Sequence, residues 1–197
     1  MSRRERGKRE KQQRIRAAAA ELFAAEGYAN VTTHAIAEAA DVGTGTLFRY
    51  FPTKADLLVA VMNHLLTLGV EQALSAAESG VDVAEAILLA VDPLVRVAIT
   101  QPENTTVYQR EVMFGAGRSD TGIAPVIREV QAAIERIVEV RARERGLDAA
   151  RVAEALYATM FIELARTTSG LYDPATLPGR LRNTVTFLVD ALLGRRG

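Results

Sequence analysis

Residues 32–58, which read TTHAIAEAADVGTGTLFRYFPTKADLL, decide the fold of this chain. Thr32 or Thr33 can cap a short helix that ends at about residue 41, because a threonine hydroxyl accepts a hydrogen bond from a free amide of the first helical turn. A second short helix is predicted over 44–50, after a tight turn. Two short helices joined by about three or four residues form a helix-turn-helix.

Longer helices are predicted on both sides of this motif. Before it, apolar residues recur over 13–26 with the spacing of one buried helical face, and Gly27 ends the pattern. After it, Pro52 breaks the chain, and Thr53 can cap a long helix that begins at Lys54. The motif and the helix before it therefore form an N-terminal unit of three helices.

The rest of the chain also predicts helices, so the fold class is all-α. Apolar residues keep a helical period without strand-like alternation, and Pro93 is expected to kink one helix. These helices lie at 54–78, 82–100, 103–114, 122–145, 148–170 and 174–193, with a loop at 115–120. The prediction is about nine helices, divided between a domain with the helix-turn-helix at 1–58 and a larger helical domain at 59–197.

The composition excludes several classes of function. Among 197 residues there are no Cys and two His, so disulfides, thiolate metal sites and a Cys nucleophile are excluded, and we expect neither metal nor cofactor. The longest apolar runs, 57–62 and 86–91, hold six residues each, whereas a membrane-spanning helix needs about 20. The N-terminus has no apolar signal core, so we expect a cytoplasmic protein without a membrane span.

Charge is distributed unevenly along the chain. Lys and Arg number 24, as do Asp and Glu, but the first 16 residues hold eight Lys and Arg against two Glu. Such a segment is typical of an arm that binds a polyanion. The alternative is a solvated terminus that only aids solubility.

Residues 32–58 resemble the DNA-binding signature of the tetracycline-repressor (TetR) family of bacterial regulators. The resemblance is carried by the Ile36-Ala37 pair, the run from Gly45 to Phe48, the Tyr50-Phe51 pair, and Lys54 followed three residues later by two leucines. It implies a dimer that binds a DNA operator, with a C-terminal helical domain that holds a ligand cavity and dimerises through the last two helices. The function implied is a ligand-responsive repressor.

The same resemblance implies a set of DNA contacts. Thr33, His34, Thr44 and Thr46 would point at the duplex, and Tyr50 and Lys54 match phosphate contacts. Backbone left exposed at Gly43 and Gly45 would attract phosphate. The predicted DNA-binding residues are Thr32, Thr33, His34, Gly43, Thr44, Gly45, Thr46, Phe48, Tyr50 and Lys54.

Three positions depart from the family pattern. Asp41 stands where glycine is usual, and we expect it to tolerate a left-handed turn. Gly43 replaces the usual serine cap, at a cost of a few tenths of a kcal/mol. Phe48 stands where tyrosine is common, so a hydroxyl that could bind phosphate is missing.

Polar residues on apolar helix faces are the candidates for the ligand cavity, because a buried polar group needs a partner that a ligand can supply. Glu111 is the preferred anchor, followed by Glu163. His64 can instead be a core or rim histidine, and Arg96 can pair with Asp92 on the surface. The predicted cavity residues are Asn63, His64, Arg96, Tyr108, Arg110, Glu111, Met113, Thr159, Glu163 and Thr167.

Three functions remain open at this stage. The first is a repressor that binds a pseudo-palindromic operator and is released by a small hydrophobic or amphipathic inducer. The second is a DNA-binding architectural protein that uses no ligand. The third is a helical enzyme that uses Glu111 or Glu163 as its acid or base, which would leave the basic arm and the helix-turn-helix unexplained.

Overall fold

A computed structural model describes residues 3–114 and 123–194, and within them it contains ten α-helices, a single 3-10 turn and no strand. The predicted all-α class is confirmed. The helices are α1 (Arg3–Asn30), α2 (Thr33–Ala39), α3 (Thr44–Tyr50), α4 (Lys54–Glu78), α5 (Val83–Leu89), α6 (Asp92–Thr100), α7 (Pro102–Phe114), α8 (Ile123–Glu144), α9 (Ala149–Thr168) and α10 (Leu177–Leu193), with the 3-10 turn at Pro174–Thr176. The predicted loop at 115–120 lies outside the described residues.

Two helix predictions need correction. The helix predicted over 82–100 is broken into α5 and α6, because Pro93 stands in the first turn of α6, where its missing amide hydrogen costs nothing. α1 begins at Arg3 instead of residue 13, so the basic arm is helical. Arg, Lys, Glu and Gln all have good helix propensity, which explains the extension. Gly27 kinks α1 near its end, with φ 76° and ψ 164°.

The chain divides into two compact units. The first consists of residues 1–63 and 103–122, and the second of 64–102 and 123–197. α7 therefore belongs with the helix-turn-helix, and the boundary falls within α4. The functional division at residue 58 stays a prediction.

The core of the first unit is formed by apolar side chains from α1, α2, α3 and α4 and from the residue that follows α3. Ile15, Phe23, Ile36, Leu47, Phe51, Leu57 and Leu58 are each no more than 1% exposed. Burying a side chain of this size stabilises a fold by about 1.5–3 kcal/mol. Leu22 and Val42, two further apolar residues of this unit, are only half-buried.

The core of the second unit lies among α8, α9 and α10. On α9 the stripe Val152, Leu156, Met160 and Leu164 is buried. On α10 the buried stripe runs through Leu181, Val185, Val189 and Leu193, whereas Leu188 and Leu192 are half-buried. α4 passes so close to residue 90 that a Cβ added at Gly69 would stand 2.5 Å from the Ala90 carbonyl oxygen.

α4 is long and apolar enough, by length and composition alone, to cross a membrane. Half of its most apolar stretch is buried inside the protein. That pattern is typical of a core helix.

Candidate nucleic-acid interface

The turn between α2 and α3 has the geometry that the sequence predicts. The hydroxyl of Thr32 accepts a 3.1 Å hydrogen bond from the amide of Ala35 and so caps α2. Asp41 adopts a left-handed conformation with φ 51°, the only positive φ at a non-glycine residue among those described. α2 and α3 therefore form the predicted helix-turn-helix.

α3 presents a buried face and an outer face. Leu47 is fully buried, while Gly45, Phe48 and Arg49 lie on the opposite side and are exposed. Gly43 caps the helix without a side-chain hydrogen bond, as predicted. A Cβ added at Gly43 or Gly45 would meet nothing within 4 Å, so packing within this chain does not require glycine at either position.

The predicted DNA-binding residues are all at least partly accessible. Thr32, His34, Gly43, Gly45 and Phe48 are exposed, and Thr33, Thr44, Thr46, Tyr50 and Lys54 are half-buried. Their contacts with DNA stay predictions. Arg49 is exposed as well and was not predicted; its guanidinium stands 5.4 Å from the centroid of the Tyr50 ring. A cation on the exposed face of α3 was the signal that could have identified it.

Lys54 has an internal role that the sequence did not predict. Its Nζ atom donates hydrogen bonds to the carbonyl oxygens of Tyr28, at 2.7 Å, and Val31, at 2.9 Å. The same ammonium stands 4.2 Å from the centroid of the Tyr28 ring, close enough for a cation–π interaction. An ammonium has three hydrogens, so these carbonyls use two, and a phosphate contact would need the third.

The first turn of α7 is fastened to the end of α1. The Nδ2 atom of Asn104 donates a 2.8 Å hydrogen bond to the carbonyl oxygen of Phe23, and Asn104 is buried. The Glu103 carboxylate accepts a 3.2 Å bond from the amide of Ala29. The kink at Gly27 interrupts the regular bonding of α1, and side chains from α4 and α7 bind the backbone groups on both sides of it.

Charged residues of α7 also act on Tyr28. Burial raises the pKa of the Tyr28 hydroxyl above its usual value, and the positive charge of Arg110 opposes this shift. The nearby carboxylates of Glu111, Glu103 and Asp56 raise the pKa of Tyr28 further. Tyr28 is thus influenced electrostatically by both α4 and α7.

Several predicted cavity residues belong to the first unit. The hydroxyl of Tyr108 donates a 3.0 Å hydrogen bond to Oδ1 of Asn63, which joins α7 to α4. Glu111 is half-buried and lies 3.9 Å from the guanidinium of Arg110. Met113 is 56% exposed. The structure therefore brings Asn63 and Tyr108 together, and the ligand-binding role of all these residues stays a prediction.

The remaining cavity candidates belong to the second unit. Glu163 is buried and paired with Arg166 at 2.9 Å and with Arg180 at 3.0 Å. Thr167 is buried and accepts a 2.6 Å bond from Arg180. Two arginines thus provide the partner that a ligand was expected to supply to Glu163.

The other three candidates of this unit are more accessible. Arg96 pairs with Asp92 on the surface at 2.7 Å, and His64 is exposed, so His64 is not a core histidine. The Thr159 hydroxyl donates to the carbonyl of Ala155. Among the residues that the structure describes, no group of three Asp, Glu or His side chains is arranged to hold a metal ion.

Comparisons with known proteins agree with this geometry. Residues 15–61 match the family model described as "Bacterial regulatory proteins, tetR family". The HTH-type transcriptional repressor KstR of Mycolicibacterium smegmatis is 45% identical over 56 residues, 28% of this chain and 28% of that protein. KstR of Mycobacterium tuberculosis is 43% identical over 56 residues, 28% of this chain and 26% of that protein. The matches therefore span little more than a quarter of these relatives.

Solved structures resemble the chain over most of its length. FadR of Thermus thermophilus, described as a TetR-family repressor in complex with lauroyl-CoA, aligns with a TM-score of 0.67 at 22% identity, covering 94% of this chain and 97% of that one. FadR of Bacillus subtilis in complex with stearoyl-CoA aligns with a TM-score of 0.62 at 19% identity, covering 93% and 99%. At these identities the likeness concerns the fold alone.

Proposed function

Because its N-terminal domain makes this chain a member of the TetR family of bacterial regulators, we propose that it is a dimeric transcriptional repressor that a small amphipathic molecule releases from its operator. The observation that carries the proposal is α3, a recognition helix whose Leu47 is buried while Gly45, Phe48 and Arg49 face outward. A helix of this kind, placed second in a helix-turn-helix, enters the major groove.

Contacts to DNA divide into two roles in this proposal. Thr44 and His34 contact base edges and set sequence preference, whereas Tyr50 and Lys54 contact phosphates and set affinity for every sequence alike. The helical arm from Arg3 to Arg16 adds positive charge near the duplex. Affinity therefore falls steeply with salt.

Large apolar side chains that are exposed on α9 and α10 support a homodimer. Ile162 on α9 is 47% exposed, and Phe187 on α10 is 69% exposed. Beside Phe187 lies an open hollow of about 680 Å³, lined by Arg182, Asn183, Thr186, Phe187, Asp190 and Ala191. An exposed apolar face rimmed by polar groups is typical of a protein interface, and a second copy that packs the same two helices against it would form a four-helix bundle.

The ligand is proposed from chemistry and from the shared fold. The FadR structures with the same fold hold lauroyl-CoA and stearoyl-CoA, which combine an apolar chain with a charged head. Asn63 on α4 and Tyr108 and Glu111 on α7 provide polar groups within the first unit. Glu163 is the other candidate for a ligand anchor or for the acid or base of an enzyme. Its carboxylate is already paired with two arginines.

Selection of random duplexes on the purified protein tests the proposal. We expect an inverted repeat whose half-sites are about one helical turn, roughly 34 Å, or a multiple of it apart, because a two-fold dimer presents two copies of α3. Enrichment of a sequence without inverted symmetry would contradict the dimeric mode of binding. If no sequence is enriched, the chain is not a sequence-specific repressor.

A further inference from the structure

Phe48 is a large apolar side chain on the face of α3 that points away from the core. It is 43% exposed, although the neighbouring Leu47 is fully buried. Because α-helical residues three and four apart share a face, Phe48 and Arg49 lie beside Gly45 and opposite Leu47. Phe48 therefore adds less to the core of the first unit than Leu47 does.

Gly45 leaves an open notch next to this ring. A Cβ at this position would meet nothing within 4 Å, so the fold would accept alanine. Glycine weakens a helix relative to alanine and lets an outside group approach the backbone closely. Phe48 and the uncovered Cα hydrogens of Gly45 together form a small apolar surface, which we call the Phe48 notch.

The chemistry of the Phe48 notch selects one group of the major groove. A phenyl ring cannot donate a hydrogen bond to a phosphate or a base edge, and the guanidinium of Arg49 is held over the Tyr50 ring. Base edges in the major groove present hydrogen-bond donors and acceptors, together with the C5 methyl of thymine as their apolar group. The thymine methyl is therefore the complement of the Phe48 notch.

We propose that Phe48 reads the C5 methyl of a thymine and so fixes a T·A pair in each half-site of the operator. The inference rests on the proposed function, because it requires α3 to enter the major groove. The preference for thymine in each half-site would come from the apolar ring of Phe48. Phe48 is then a residue that determines sequence specificity rather than a phosphate contact.

Replacement of thymine by uracil tests this inference, since uracil differs only by the missing methyl. Thymines of the duplex selected by the protein are replaced one at a time, and dissociation constants are measured for the wild type and for Phe48→Ala. At one thymine per half-site we expect about fourfold weaker binding by the wild type, the effect of one buried methyl-sized group. Phe48→Ala should bind the thymine and uracil duplexes equally.

Two further variants complete the experiment. Phe48→Tyr keeps the ring and should keep the discrimination. Phe114→Ala removes another exposed phenylalanine of the first unit, 77% exposed on α7, and should discriminate as the wild type does. If uracil has no effect at any position, or the same effect on the wild type and on Phe48→Ala, thymine reading by Phe48 is wrong while the repressor function stands. If no duplex is enriched at all, both proposals fail.

Discussion

The outer face of α3 and the end of α1 belong to the same unit but are built in opposite ways. On α3 the glycines have open space around them and Phe48 is exposed. At the end of α1, by contrast, backbone groups near the Gly27 kink are bound by side chains of α4 and α7. Residues on α3 are available to an outside partner, whereas residues at the end of α1 are occupied within the protein. Substitutions should therefore affect DNA binding at the first place and stability at the second.

Lys54, the first residue of α4, binds the end of α1 and is also proposed to contact a phosphate, so its removal should have the largest effect. Lys54→Ala leaves the half-buried carbonyls of Tyr28 and Val31 without their charged donor, and we expect the free energy of unfolding to fall by about 2–3 kcal/mol. The proposed phosphate contact predicts that the slope of log affinity against log salt also falls by about one unit. Chemical denaturation and salt titration measure the two effects separately.

Lys11→Ala is the matched control, because Lys11 is an exposed cation of the helical arm. It should lower the salt slope without changing stability. A salt slope that Lys54→Ala leaves unchanged would show that Lys54 serves the fold alone. Unchanged stability would show that the two carbonyl bonds contribute little.

A substitution at Glu111 tests whether the end of α1 also takes part in release from DNA. Its charge acts on Tyr28, and it lies close to Arg110. We expect Glu111→Gln to bind the operator nearly as the wild type does but to lose most of the ligand effect, where a coupled site typically changes affinity by about 5–150-fold. Operator binding is measured with lauroyl-CoA or stearoyl-CoA as the ligand.

Three outcomes of that experiment would contradict the proposed role of Glu111 in ligand binding. If neither acyl-CoA releases the wild type, the proposed ligand class is wrong. If Glu111→Gln responds as the wild type does, the anchor is another residue. If the variant does not fold, Glu111 belongs to a structural ion pair.

Asn104 and Thr105 compare a buried side chain that makes a hydrogen bond through its Nδ2 atom with one whose hydroxyl makes none among the described residues. The Oδ1 atom of Asn104 is likewise without a partner among the described residues, so only the Nδ2 bond is lost in the variant below. Asn104→Ala removes the donor to the Phe23 carbonyl and should destabilise the protein by about 1–2 kcal/mol. Thr105 is fully buried, and among the described residues its hydroxyl oxygen has no hydrogen-bond partner. Thr105→Val, which keeps the shape, should therefore be neutral or slightly stabilising. Thermal unfolding of both variants measures the two changes in stability. Equal losses of stability would contradict this prediction.

Local signals predicted the helix-turn-helix well. α3 and α4 begin where Gly43, Pro52 and Thr53 indicate, and Asp56 completes a reciprocal cap by accepting a 3.0 Å bond from the amide of Thr53. Capping depends on residues three apart, which the sequence displays directly. The DNA contacts expected on α3 came instead from the resemblance to the TetR family, and they stay predictions.

The end of α1 was not predictable in this way. Asn104 is 81 positions from Phe23, and Lys54 is 26 from Tyr28, so the partners meet only after folding. Lys54 was assigned to phosphate because it matches a phosphate contact of the TetR family, and the sequence does not show the carbonyls beside it. The pairing of Glu163 with Arg180, 17 positions away, was missed for the same physical reason.

Gly45→Ala should produce only a small change in stability but the clearest contrast, because its effects on stability and on DNA binding have opposite signs. Alanine at an exposed helical position stabilises the free protein by about 0.5–1 kcal/mol relative to glycine, and the open space around Gly45 accepts the methyl group. The same methyl would stand in the Phe48 notch, so operator binding should weaken. Gly179→Ala is the control, because Gly179 also has open space around it but lies on α10, and it should raise stability without weakening DNA binding. Thermal unfolding and operator binding are measured on both variants. If Gly45→Ala gains stability and binds the operator as tightly as the wild type, DNA does not approach α3 at this residue. The contrast between the outer face of α3 and the end of α1 would then rest on stability alone.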